Sequence, residues 1–174
     1  MKKRRMRRIK FDGRRVQIEF DVERRGKDGD VDFDRFTLDC TDPPRPGLRE
    51  ALDGLRAHVA IWLELPKGWG ADLEVRGASL SDTDGVMGAV ITALKPLQFS
   101  RGPLVVNTPH KPAEPPSDGD PSAEDFCLTG ECIKALDALI EEANAYIDGE
   151  RQQGRLFVES AGEEAEPVGA EAQR

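Results

Sequence analysis

The sequence predicts an α+β domain: a mainly antiparallel sheet of about five or six strands, two helices packed on one face, and a disordered acidic C-terminal tail. Three observations carry this prediction. Val16, Ile18, Phe20 and Val22 alternate with Gln17, Glu19, Asp21 and Glu23, the period of a strand buried on one face. Leu48, Leu52, Leu55, Val59 and Trp62 recur at helical spacing. The apolar segments are joined by hairpin-type turns, with no strand–helix–strand crossover signature.

Taken in order, Arg8–Phe11 reads as a short first strand ending at Asp12-Gly13, a strong turn dipeptide. The alternating strand from Val16 follows. Gly26-Lys27-Asp28-Gly29 supplies turn residues, and Val31, Phe33, Phe36 and Leu38 read as the return strand, with a phase slip near Asp34-Arg35. Thr41-Asp42-Pro43-Pro44-Arg45-Pro46 breaks the sheet and leads into the first helix, because proline is tolerated in a helix's first turn. Pro66 and Gly68 stop that helix. Leu73–Leu80 and Val86–Leu94 form a second hairpin joined through Ser81-Asp82-Thr83-Asp84-Gly85, and Leu104-Val105-Val106 adds a short strand after Gly102-Pro103. Near the C-terminus Ile133, Leu136, Ile140, Ala143 and Ile147 share one face of a helix running from about Thr129 to Glu150, with Leu139 and Tyr146 beside it.

Composition divides the 174-residue chain further. Residues 1–15 hold nine Lys and Arg against the single Asp12, a charge of +8 that leaves −16 for the remainder of a chain whose total is −8. Residues 113–125 hold five acids, three prolines and no base, so they bury too little apolar surface to offset their ordering entropy. The expected organisation is a basic arm and first strand over 1–15, an α+β core over 8–112, a flexible acidic, proline-rich linker over 113–127, a C-terminal helix over 128–151, and a tail with a linear motif over 152–174. No apolar stretch approaches the roughly 20 residues that span a bilayer, and Met1–Lys10 is not followed by the apolar run of a secretory signal. Cys40, Cys127 and Cys132 form an odd set without disulfide-scaffold spacing, which points to a reducing, cytoplasmic setting without a membrane partner.

Chemistry is sparse. The chain has two histidines, His58 and His110; His58 lies beside the first helix's apolar stripe, and Cys127 and Cys132 match no zinc spacing. No phosphate-binding glycine loop or nucleophile elbow occurs, so no catalytic residue, cofactor or metal site is assigned and the protein reads as a non-enzyme. Three binding candidates remain. Lys2, Lys3, Arg4, Arg5, Arg7 and Arg8 form a basic arm that suits either a polyanion such as DNA or a strand edge protected by charge. Asn107, Thr108, His110 and Lys111 offer amide, hydroxyl, imidazole and ammonium groups at a strand exit, suited to an anionic small ligand such as a nucleotide or to backbone capping. Gln153, Leu156 and Phe157 place two large apolar side chains in a polar tail, destined either for a partner's pocket or for the protein's own core.

The segment Gln153-Gly154-Arg155-Leu156-Phe157 resembles the peptide by which bacterial replication and repair proteins dock on the DNA polymerase sliding clamp. Gln153, Leu156 and Phe157 match, whereas Gly154 and Arg155 depart from the usual aliphatic and acidic or small residues. Over roughly residues 8–157, Val75-Arg76-Gly77, Met87-Gly88-Ala89, Asn107-Thr108-Pro109-His110-Lys111-Pro112 and the ending from Ile147-Asp148-Gly149-Glu150-Arg151 to Leu156-Phe157 resemble a group of short bacteriophage-encoded proteins without assigned activity. That resemblance implies the cytoplasm of an infected or lysogenic bacterium and no mechanism. Together these features lead to the expectation of a non-enzymatic phage accessory protein acting near DNA replication or recombination. The alternatives are a nucleotide-binding module countering host defence and a structural oligomer.

Overall fold

The computed structural model describes residues 4–25, 30–83, 85–115 and 125–152. They form a mixed α+β architecture in which one seven-stranded antiparallel sheet carries its helices on one face. The strands are β1 (Arg4–Phe11), β2 (Val16–Arg25), β3 (Val31–Cys40), β4 (Glu74–Thr83), β5 (Val86–Lys95), β6 (Leu104–Asn107) and β7 (Lys111–Pro112). Their spatial order is β3-β2-β1-β4-β5-β6, and β7 also pairs with β5. The helices are α1 (Pro46–Gly54), α2 (Arg56–Trp62) and α3 (Gly130–Ile147).

The alternation in β2 sets the two faces. Val16, Ile18 and Phe20 are buried under the helices together with Ile9 and Phe11 of β1, Ala78 and Leu80 of β4, and Ala89, Ile91 and Ala93 of β5. α1 and α2 are one helix bent at Leu55, where Gly54 weakens the helical preference and Leu55 N–H bonds the Leu52 carbonyl at 3.1 Å in a tightened turn. Leu48, Leu52, Val59 and Trp62 face inward from it, as their spacing predicts. α3 starts at Thr129, whose hydroxyl accepts from Cys132 N–H at 3.2 Å.

The structure differs from the sequence expectations in four places. β1 begins at Arg4 and is an interior strand between β2 and β4, not an arm leading into a short edge segment. β3 shows no phase slip: it pairs with β2 without a break from Val31↔Arg25 to Cys40↔Val16, which sends Phe33 and Phe36 to opposite faces. An edge strand open to water need not hide every apolar side chain on one face, and the irregularities fall instead in β1 between Met6 and Arg8 and in β4 between Val75 and Gly77. The buried face of α3 is Cys132, Leu136, Leu139, Ala143 and Tyr146, so Ile133, Ile140 and Ile147 lie at its margin. The second hairpin is tighter than expected, its strands running to Thr83 and resuming at Val86. Most of the expected linker, the first turn of the hairpin at 26–29 and the tail beyond Gln152 lie outside the described residues. No helix among the described residues is long and apolar enough to cross a membrane.

Candidate functional site

Each described arginine of the basic N-terminal run meets an acid of this chain. Arg4 pairs with Asp148 after α3 at 2.7 Å, Arg5 with Asp82 of β4 at 3.3 Å, Arg7 with Asp21 of β2 at 2.7 Å, and Arg8 with Glu19 of β2 at 3.7 Å. Lys2 and Lys3 lie outside the described residues. The most enclosed of these acids is Asp21, only 2% exposed, which also accepts from Arg35 Nε of β3 at 3.1 Å. Burial alone would raise the Asp21 carboxyl, but the hydrogen bonds and charges of Arg7 and Arg35 outweigh it and hold the group below its ordinary value.

The residues of the strand-exit loop meet partners within this chain, with Thr108 buried and Asn107 and His110 exposed. Asn107 Oδ1 accepts from the Thr92 hydroxyl at 2.7 Å. Thr108 is buried; its N–H donates to the Ile91 carbonyl and its hydroxyl oxygen accepts from Ile91 N–H, both at 2.9 Å. His110 Nε2 lies 2.8 Å from the Ser81 hydroxyl and packs on Gly88, where any Cβ would collide with the ring. Lys111 donates to the Asp125 carbonyl at 3.1 Å, with its ammonium 5.6 Å from the centre of the Trp62 ring and 6.0 Å from that of Phe126. The cluster therefore staples β5 to α2 and to the segment preceding α3.

A cleft of about 710 Å³ opens between the β1–β2 turn and the start of α1. Phe11, Pro43 and Pro44 give it an apolar lining, and Arg14, Arg45 and Arg49 bring cations to it. Arg49 stacks 5.5 Å from the Phe11 ring centre, and neither Arg14 nor Arg49 forms an ion pair among the described residues. Arg45 is committed to Glu142 at 2.8 Å and to Glu150. A Cβ at Gly47 would meet the Glu142 carboxylate, which lies against the start of α1. Glu50 and Asp53 also border the cleft, Asp53 being held by Arg56 at 2.6 Å.

The chain after α3 is tied to the same region. Gln152 N–H donates to the Pro43 carbonyl at 3.0 Å, Arg151 pairs with Asp42, and the Tyr146 hydroxyl donates to the Asp42 carbonyl at 2.7 Å. Gln152 borders the cleft, while Gln153, Leu156 and Phe157 lie outside the described residues. Sequence reasoning did not find this cleft, because its walls come from residues 11–14, 41–53 and 152. The available signal was the proline cluster beside Arg45 and Arg49.

Burial pushes the Cys132 thiol up to about 11, so it stays protonated at neutral pH. No group of three or more His, Cys, Asp or Glu among the described residues is placed to hold a metal ion. Comparison with family models, with curated proteins and with solved structures finds no match to this chain.

Proposed function

We propose that this protein is a non-enzymatic accessory factor of phage origin that presents a C-terminal docking peptide, Gln153 with Leu156 and Phe157, to the bacterial sliding clamp near sites of DNA replication or recombination. The observation that supports it is the anchoring of the chain up to Gln152 through Pro43, Asp42 and Arg45, with the clamp-like peptide beginning at the next residue. The folded domain thereby serves as a fixed base for a short peptide whose two apolar anchors dominate binding. The basic run of β1 has its described charges matched by acids of the chain, so the reading assigns DNA proximity to the clamp and not to Arg4, Arg5, Arg7 or Arg8.

The test is calorimetric titration of the full chain into a purified bacterial clamp. Leu156→Ala with Phe157→Ala is expected to weaken binding by more than about a hundredfold, with an unchanged melting curve. Absence of binding by the parent chain, or a double variant that binds as well, rejects the reading. A second reading is favoured by Arg14 and Arg49 in the cleft, whose cations above an apolar lining suit an anion carrying an aromatic ring. A thermal-shift series with nucleotides on the parent and on Arg49→Ala separates the two, because only this second reading expects a nucleotide shift that Arg49→Ala removes.

A further inference from the structure

β3 is a free edge of the sheet. It pairs only with β2, runs ten residues without proline or bulge, and leaves the peptide groups of its other side without a strand partner among the described residues. Three large apolar side chains stand exposed on this one strand: Val31 at 54%, Phe33 at 40% and Phe36 at 47%. Charged residues usually blunt such an edge, and β3 has four, Asp32, Asp34, Arg35 and Asp39. Their order in the strand matters more than their number.

We infer that β3 is a self-complementary dimerisation strand, which pairs antiparallel with β3 of a second copy about a two-fold axis at Thr37. A two-fold axis that sets two strands antiparallel in one sheet stands perpendicular to it, so each residue faces one from the same side of the sheet. With Thr37 at the centre, Phe36 opposes Leu38 of the second copy, and Arg35 opposes Asp39. Phe36 and Leu38 both belong to the helix-bearing side, because they pair with Phe20 and Ile18, and Arg35 and Asp39 both belong to the other side, because they pair with Asp21 and Gln17. By symmetry each contact forms twice, giving two apolar pairs and two ion pairs.

Neighbouring centres do not achieve this. A centre at Arg35 sets guanidinium against guanidinium, and centres at Asp34 or Asp39 set carboxylate against carboxylate. A centre at Phe33 opposes Asp32 to Asp34, and one at Phe36 leaves Arg35 facing Thr37 and Phe33 facing Asp39. A centre at Leu38 forms no ion pair. The helix-bearing side of the edge has room for the contact, since Phe36 stacks on Phe20 with ring centres 5.7 Å apart beside an open recess bounded by Arg4 and Val22. Arg35 also has donors to spare: its Nε serves Asp21, and its side chain is 67% exposed; Asp39 pairs within its own chain with Arg15 Nε at 2.7 Å through Oδ1 and would take Arg35 of the second copy as a further partner. The product is a continuous sheet of two copies with all helices on one side.

Sedimentation of the full chain tests the inference, with a mass of twice 19.2 kDa expected at tens of micromolar. Asp39→Arg and, independently, Phe36→Lys are expected to weaken the dimer by at least about tenfold with unchanged circular dichroism. Thr37→Cys places two thiols across the axis and should give a covalent dimer under mild oxidant, beyond any background from the parent's own cysteines, whereas Arg35→Cys should not. A chain that stays monomeric at the highest soluble concentration overturns the inference. So does a dimer indifferent to both Asp39→Arg and Phe36→Lys, or a Thr37→Cys chain that does not cross-link.

Discussion

The two edges of the sheet are built on opposite plans. On the β6–β7 side the free flank of β5 is covered by four residues of β6 and two of β7, with Pro103 before β6, Pro109 between the two and Pro112 within β7. The gap is closed by Thr108, which exchanges both of its polar groups with the backbone of Ile91. On the β3 side a ten-residue strand lies straight and open, held to the sheet by its ladder with β2 and by the Arg7–Asp21–Arg35 bridge. The first edge is finished within the chain. The second has the form of a joint.

The largest effect that sharpens this contrast is expected at Asp21. Asp21→Ala leaves Arg7 and Arg35 facing each other across β2 and should cost about 2–3 kcal/mol in urea unfolding, below the figure for a fully buried pair because Arg35 reaches solvent. The same carboxylate gives stability a direction with pH. Its folded value lies below the ordinary 3.8, so its contribution is complete above that value and lost as pH falls through the lower folded one. The parent's stability should fall on acidification in that range more steeply than that of Asp21→Asn; equal slopes would remove Asp21 from the account.

A smaller effect is expected at the closed edge. Thr108→Val keeps the shape but leaves Ile91 N–H without its side-chain acceptor, a loss of about 1–2 kcal/mol by the same measurement. Smaller again is Val105→Thr on β6, exposed at 57%, which should change stability by less than about 0.5 kcal/mol. If Val105→Thr instead altered the sedimentation of the full chain, the β6 edge would be the joint and the contrast between the edges would be reversed.

The parts legible in the sequence were those with one strong period. β2 is readable because apolar and polar residues alternate from Val16 to Glu23, although the polar face also buries Asp21, and the first helix because its leucines keep one stripe. β1 is hard to read because four of its first five residues are arginines, whose charges are matched by acids supplied by β2, β4 and the segment after α3. The buried face of α3 keeps Leu136 and Ala143 of the expected stripe and is centred on the side of Leu139 and Tyr146. Isoleucines mark a plausible stripe there, yet the helix turns Leu139 and Tyr146 inward, and the Tyr146 hydroxyl finds the Asp42 carbonyl. β7 was invisible, since a Lys-Pro pair carries no strand signal and only its contact with Gly88 and Ala89 defines it. Among the site residues, those of the strand-exit loop are polar in the sequence itself, but which internal partners they meet is decided by Ser81, Thr92 and Asp125, which no local pattern connects to them.

The placement of β1 has a consequence during synthesis. It precedes the other strands of this sheet in the sequence and is one of the innermost, yet its partner β4 starts only at Glu74, with Lys10 meeting Gly77 and Arg8 meeting Ser79. While the chain emerges, β1, β2 and β3 can zip as a meander, but the β4 side of β1 stays open until dozens more residues have been added. A long-range pairing of this kind is slow and exposes the growing chain to wrong partners. Arg7 and Arg8 find Asp21 and Glu19 within that meander, whereas Arg4 and Arg5 keep their charge unmatched until Asp148 after α3 and Asp82 of β4 arrive, a cationic guard on the temporary border.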